Sequence, residues 1–346
     1  MKRNVGARVT AVAVLALFTV FASARGLRAQ GLLLTGYADF QADVTNIGSG
    51  NSDFFFDNHH FNLIGVGQLT ENIFANAEIE YEHSGDEINL EYGYIGYTGI
   101  KNLKILAGKF IVPFGRFNKD LHPTWINKMV DRPHGFKNIL PQTYSDVGLW
   151  VSGGAPVGMD GARITYDAFV VNGLMGPNGG DIRGFRGVDR EKRAGGRDDN
   201  KAVGGRLGLE LPPEGFDIGG SIYFGNYSDD PAEKLDLLLL GADAAFRKNG
   251  LEIRGEVVTA QQDTAEAGGH LTKTGGYVQA AYLVTRNFEP VIRFSGREMP
   301  GSAMDNSRVA FGFTFYPSAG SAVRLDYLIN DGADNDGIAA IFSTSL

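Results

Sequence analysis

From about Leu32 to Leu346 the chain is a succession of short segments that alternate apolar and polar residues, each followed by a turn. Ile73-Phe-Ala-Asn-Ala-Glu-Ile-Glu-Tyr81, Leu251-Glu-Ile-Arg-Gly-Glu-Val257 and Val323-Arg-Leu-Asp-Tyr-Leu-Ile329 show the pattern cleanly. A period of two belongs to strands with one apolar and one polar face. Sixteen such segments are predicted, at about 32–44, 54–68, 73–83, 87–99, 103–112, 144–153, 161–173, 201–211, 215–227, 235–247, 250–260, 275–285, 287–297, 307–317, 320–330 and 337–345. Every second connection is tight, as at Thr70-Glu-Asn72, Arg247-Lys-Asn-Gly250 and Pro317-Ser-Ala-Gly320; the alternate ones, 113–143, 174–200, 228–234, 261–274 and 298–306, are mostly longer. Membrane barrels sort their turns this way, short at the periplasmic end and long outside. The two sets fall in phase when the first strand runs outward, which puts both termini on the periplasmic side. A soluble sandwich or propeller has to bring its apolar faces together in a core and has no reason to sort its loops by length. The fold predicted is all-β: a transmembrane antiparallel barrel of about sixteen strands, apolar outside and water-filled inside.

Residues 1–29 read as a signal peptide. Lys2, Arg3 and Arg8 precede an apolar run, Val9 to Phe21, that is short for a membrane-spanning helix, and Ala22-Ser-Ala24 offers a cleavage site. Cleavage after Ala24 or after Ala29 fits, which leaves residues 30–346 as a single barrel domain. The longest later apolar stretch, Leu235 to Ala245, is interrupted by Asp236 and Asp243.

The formal charge of −8 becomes −11 or −13 after cleavage at the two sites, so nucleic acid is not an expected partner. The chain has no cysteine, which excludes a disulfide scaffold, a thiolate metal site and a cysteine nucleophile. Abundant glycine (48 residues) suits barrel kinks, and 23 Phe with 13 Tyr suit interfacial girdles.

Parity assigns the faces. Leu34, Ile79, Tyr92, Ile164, Ile222, Leu238, Leu240, Ile253, Ile292, Phe311, Phe313 and Leu325 fall outward. A charge there near mid-bilayer costs about 2–4 kcal/mol, and most charges fall on the other parity. Asp39, Asp43, Glu78, Glu80, Glu82 and Glu91 line the early strands. Arg163, Arg206, Arg254, Arg293 and Arg324, interleaved with Asp167, Glu252, Glu256 and Asp326, line the later ones. Across a water column such opposed walls would orient polar solutes and tune ion preference; the plainer reading is that an aqueous wall is simply polar and mixed. Lys109 has the wrong parity, so it lies above the apolar band or follows a bulge.

The connection 113–143 is unlike a solvated loop. It carries Phe114, Phe117, Leu121, Trp125, Ile126, Met129, Val130, Phe136, Ile139 and Leu140, which call for burial. Arg116, Lys119, Lys128, Arg132 and Lys137 stand against Asp120 and Asp131, a local +3 in an acidic chain. The segment is expected to fold into the lumen, with a helical turn near Trp125–Val130, and to set a positive constriction facing the glutamate wall. The alternatives are a cap on the outer rim or packing on a neighbouring subunit.

Gly108-Lys-Phe-Ile-Val-Pro-Phe-Gly-Arg-Phe117, ending a strand and followed by Arg132-Pro133, resembles the phosphate-selective porin family (porin O and porin P). The convincing part of the likeness covers about 40 residues; elsewhere it is one of architecture. The resemblance implies a sixteen-stranded, trimeric outer-membrane channel with a loop folded inside and Lys109, Arg116 and Arg132 as pore-lining cations. The chain departs from that family where selectivity is set. Its lumen arginines alternate with carboxylates and its lysines are few, so phosphate selectivity does not follow.

Other segments carry weaker signals. Loop 174–200, glycine-rich and of mixed charge, reads as a mobile outer loop or a contact for lipopolysaccharide phosphates. Asp331-Gly-Ala-Asp-Asn-Asp-Gly337 lacks the spacing and closing glutamate of a calcium loop and reads as a turn. His59 and His60 point to opposite faces of a strand and cannot share one metal. No catalytic triad spacing, nucleophile elbow, Walker loop or dinucleotide fingerprint is present. Together these features predict a porin in the outer membrane of a Gram-negative-type bacterium. It would pass small hydrophilic solutes or ions with an anion preference at the constriction, and no cofactor is expected. Outer-membrane lipid and lipopolysaccharide are its expected surroundings, and a homotrimer is implied by the resemblance. An outer-membrane barrel hydrolase and a loop-plugged binding or structural barrel are the alternatives; a wide barrel, which leaves a channel, argues against the enzyme.

Overall fold

The computed structural model describes residues 31–47, 52–57, 60–85, 87–121, 123–141, 143–158, 161–174, 176, 201–228, 234–264, 269–299, 307–331 and 335–346. The leader 1–29, His59 and nearly all of loop 174–200 lie outside them, as does part of the Asp331–Gly337 turn. Among the described residues seventeen strands follow in chain order: β1 (Gly31–Ile47), β2 (Asp53–Asp57), β3 (His60–Gln68), β4 (Ile73–Glu82), β5 (Glu87–Ile100), β6 (Leu103–Ile111), β7 (Ser145–Pro156), β8 (Arg163–Val171), β9 (Ala202–Leu211), β10 (Phe216–Asn226), β11 (Asp236–Lys248), β12 (Leu251–Asp263), β13 (His270–Tyr282), β14 (Phe288–Glu298), β15 (Ser307–Ser318), β16 (Ser321–Asn330) and β17 (Asp336–Ser345).

Consecutive strands pair antiparallel, apart from β2 with β3, and β1 pairs with β17, so the sheet closes on itself. The short β2 and β3 both pair with β1, at Gln41↔Asp57 and Ala38↔Phe61 respectively, and together make one wall-crossing. The barrel therefore has the predicted sixteen crossings. The ends are tied at the seam, where the Leu346 amide donates to the Gly36 carbonyl and Thr35 Oγ1 donates to the Leu346 carbonyl at 3.0 Å. Closure satisfies the edge strands that an open sheet leaves exposed.

Three local departures have physical causes. The predicted loop 261–274 is mostly ladder: β12–β13 pairing continues to Asp263↔His270, shortening the connection and ending β13 at Tyr282. A bulge on β5 places both Glu91 and Tyr92 inside, because the register passes from Glu78↔Tyr92 to Ile79↔Leu90. One extra residue inverts parity beyond it, so Tyr92, predicted to face outward, instead lies beside Tyr94 with ring centroids 5.7 Å apart. In segment 113–143 the helical turns fall at Phe117–Leu121 and His134–Phe136; the stretch predicted to be helical holds only a turn closed by amides of Ile126 and Asn127 on the Pro123 carbonyl.

The two faces differ as the alternation requires. Leu34, Ile222, Leu240, Ile253, Ile292, Phe311 and Leu325 are exposed on the outside. Asp39, Glu78, Glu80, Glu91, Arg206, Arg254, Arg293 and Arg324 are buried on the inside. No helix among the described residues is long and apolar enough to cross a membrane.

Candidate functional site

The inner face is not uniformly polar. Phe169, Tyr223, Leu237, Leu239, Val258 and Ala260 form an apolar sector on β8 and β10–β12. The run Asp236-Leu-Leu-Leu-Leu240 supplies leucines to both parities, which is its sequence signature. Against this sector pack Phe114, Phe117, Leu121, Phe136, Ile139 and Leu140 of segment 113–143. Farther round, Met129 packs with Ala281, Val291 and Ala310, and Val130 with Ala339 and Ile341. The apolar content of the segment is thereby withdrawn from water.

Backbone approach is close where side chains are missing. A Cβ on Gly135 would fall on the Gly276 and Gly296 carbonyl oxygens, and one on Gly275 would fall on the Gly135 carbonyl oxygen. These glycines let the His134–Phe136 turn lie directly on β13 and β14. Gly115, at φ +67°, turns the chain after Pro113, and its amide donates to Ser221 Oγ at 2.9 Å.

Polar contacts then fix the segment around the wall. Thr124 Oγ1 donates to Asp39 on β1 at 2.7 Å, the Phe117 amide to Glu256 on β12 at 2.8 Å, and the Val130 amide to Asp326 on β16 at 2.7 Å. Arg324 donates to the Trp125 carbonyl at 2.9 Å, and Arg293 to Asp131 at 2.7 Å. Arg308 also pairs with Asp131.

The predicted constriction cations do not share one environment. Arg116 pairs with Asp217 on β10 at 3.2 Å, and Lys119 with Asp167 on β8 at 2.6 Å. Lys128 lies 2.6 Å from Glu289 on β14 and 3.6 Å from Glu252 on β12. Arg132 donates to Thr143 Oγ1 at 2.6 Å and borders a cavity of about 500 Å³ with Asp131, Lys137 and Arg308. Three of these cations thus pair with carboxylates of the later strands. Lys109 stands apart. It is in register with Gly93 and Val147 on the outer parity, and its ammonium turns onto the Leu90 carbonyl. The bulge lies on β5 while β6 pairs regularly with β7, so no shift brings Lys109 inside.

The predicted wall residues also divide. Glu78 accepts from Asn62 at 2.5 Å. Arg206 forks onto Asp243 at 2.6 and 3.1 Å, a bidentate pair of the strong kind. Arg254 lies 3.5 Å from Glu252, and Arg324 donates to Ser343 at 2.8 Å. Arg163 is exposed, at the β8 end next to a short connection. Asp217, Asp243 and Glu289, which complete the ion pairs, were missed; their signal is the same inward parity in β10, β11 and β14.

Comparison with known proteins gives the architecture a class. No protein-family model matches the chain. An uncharacterized protein of Aquifex aeolicus is 25% identical over 314 residues, covering 78% of this chain and 70% of that protein. Among solved structures, the anion-selective porin of Comamonas acidovorans superposes with a TM-score of 0.65 at 12% identity, over 91% of this chain and 99% of that one. OmpF of Salmonella typhi, solved in complex with daunomycin, gives 0.62 at 14% identity over 91% and 97%. The outer-membrane channel DcaP of Acinetobacter baumannii gives 0.60 at 8% identity over the same shares. The chain has the fold of the outer-membrane porins.

Proposed function

We propose that the protein is a porin of a Gram-negative-type outer membrane, through which small hydrophilic solutes and ions diffuse passively past segment 113–143. The observation that carries this reading is the division of the closed wall into an exposed apolar outer face and a charged inner face. Such a wall is stable with lipid outside and water inside. The secretory leader of the sequence agrees with export. In this reading the protein acts as a channel and not as an enzyme.

Segment 113–143 narrows the lumen, and Arg116 and Arg132 give the passage its anion preference. The pairing of Arg116, Lys119 and Lys128 with wall carboxylates leaves a weaker positive field than the count of cations suggests, in keeping with a general anion preference in place of phosphate selectivity. The anion-selective neighbour lends this preference support. The resemblance of the 108–117 motif to porin O and porin P and a trimeric assembly belong to the same proposal.

Planar-bilayer recording tests it. The purified chain should give stepwise, ohmic currents, and a salt gradient should give a reversal potential on the anion side. Arg116→Glu with Arg132→Glu should move that potential toward cations. Absence of current would favour a barrel plugged by its own segment, for which the many segment-to-wall bonds speak.

A further inference from the structure

Strand pairing brings together residues that lie about twenty positions apart in sequence. His60 on β3 is in register with Glu82 on β4, and Asn62 with Glu80. His60 Nε2 lies 3.7 Å from Glu80 Oε1 and 3.7 Å from Glu82 Oε1, and the three atoms lie within 4.8 Å of one another. All three residues are buried on the inner face, and His60 and Glu82 border the cavity that also meets Arg132.

The other ring nitrogen is engaged. Nδ1 of His60 lies 2.9 Å from Asp39 Oδ2, and Asp39 also accepts from the His60 amide at 2.8 Å. Held by Asp39 through Nδ1, the ring turns Nε2 toward the two glutamate oxygens, each 3.7 Å away. Donors sharing one tetrahedral ion at bond lengths of about 2.0–2.1 Å lie about 3.3–3.4 Å apart, so each imidazole–carboxylate separation has to shorten by about 0.3–0.4 Å to share one ion. A carboxylate that holds the distal nitrogen of a metal-ligating imidazole is the usual outer support of such sites.

We propose that His60, Glu80 and Glu82 form a binding site for a divalent first-row transition ion, with Asp39 positioning the imidazole. One imidazole and two carboxylates suit Zn²⁺ and its neighbours better than Ca²⁺ or Mg²⁺, which take all-oxygen sites. Asp39 also accepts from Thr124 of segment 113–143 at 2.7 Å, so the ion would sit one hydrogen-bonded residue away from the constriction. The site stands on side-chain geometry and holds whether or not the barrel conducts.

The test is a metal titration of the full mature chain in detergent after chelator treatment, so its outcome is separate from that of bilayer recording. Co²⁺ should give a saturable visible d–d spectrum, which Zn²⁺ displaces and Ca²⁺ does not. His60→Gln should abolish it. Asp39→Asn should weaken affinity by about 10–100-fold, whereas His270→Gln, at an exposed pair with Asp263, should leave it unchanged. A wild-type chain without a saturable spectrum, or with one that Ca²⁺ displaces as well as Zn²⁺ does, overturns the proposal whatever the folding of the variants. So does a correctly folded His60→Gln chain that binds like wild type.

Discussion

Arg293 of β14 and Asp131 of segment 113–143 form an ion pair at 2.7 Å in which the guanidinium is fully enclosed by protein. Arg293 also donates to the carbonyls of Asp131 and Arg132, at 3.0 and 3.2 Å. The wall thus grips both the backbone and a side chain of the segment. Asp131→Ala removes one acceptor and leaves a buried cation short of its counter-charge. The expected cost is about 1–3 kcal/mol, read as a lower unfolding midpoint in denaturant, together with a rise in single-channel conductance as the segment loosens. An unchanged midpoint and conductance would show that the pair holds nothing in place.

Gly135 makes a second hold, through shape. Its missing side chain permits the backbone contact with Gly275 and Gly276, where an added methyl meets immobile ladder backbone. Gly135→Ala should displace the turn and open the segment to protease cleavage in the intact barrel. Gly158, with open space around the same position, is the control: Gly158→Ala should leave the proteolytic pattern as it was.

Met129 is wholly buried against Ala281, Val291 and Ala310. These are small residues, so Met129→Ala leaves a hollow that they cannot fill. The expected loss is about 2–5 kcal/mol, measured as the shift in the denaturant midpoint of the detergent-solubilised barrel. A shift below about 0.5 kcal/mol would mean that the segment collapses to close the gap, contrary to the close packing of interiors.

Lys109 and Arg116 are seven positions apart and belong to opposite faces. Lys109→Gln should leave the reversal potential in a salt gradient unchanged, because the ammonium rests on the outer parity against Leu90. Arg116→Gln should move the potential toward cations, and it also frees Asp217 from a partner at 3.2 Å. Equal shifts from both substitutions would place Lys109 in the water path and contradict its register with Val147.

What could be read from the residues follows the range of the interactions. Strand number, and the burial of Glu78, Arg206 and Arg293, need only a period of two, which is local. Tyr92 was misplaced because the bulge at Glu91 depends on pairing with β4, which no single segment records. The same holds for Lys119 with Asp167 and for His60 with Glu80 and Glu82. Each partner has the correct parity, yet only the register across strands sets them within reach. Reading His59 with His60 as neighbours in sequence looked along the strand, whereas the companions of His60 lie across it. The apolar sector under segment 113–143 was visible in the leucines of 237–240, and its meaning appeared only once Leu237 and Leu239 were seen to face Phe114 and Ile139 in one cluster.

Ile222 lies midway along β10 and faces outward, half exposed at 51%. Ile218 shares that face four residues nearer the tight connection to β9 and is equally exposed, at 50%. In water the two positions would tolerate arginine alike, since each side chain is already half in solvent. In a bilayer the cost depends on depth, about 2–4 kcal/mol at the midplane and about 0–1 near the interface. Ile222→Arg should therefore weaken folding into lipid vesicles by about 2–4 kcal/mol and Ile218→Arg by clearly less. Urea titration of the vesicle-inserted chain, followed by tryptophan fluorescence, reads the difference. Equal effects at the two positions would remove the lipid from the outer face and the channel reading with it.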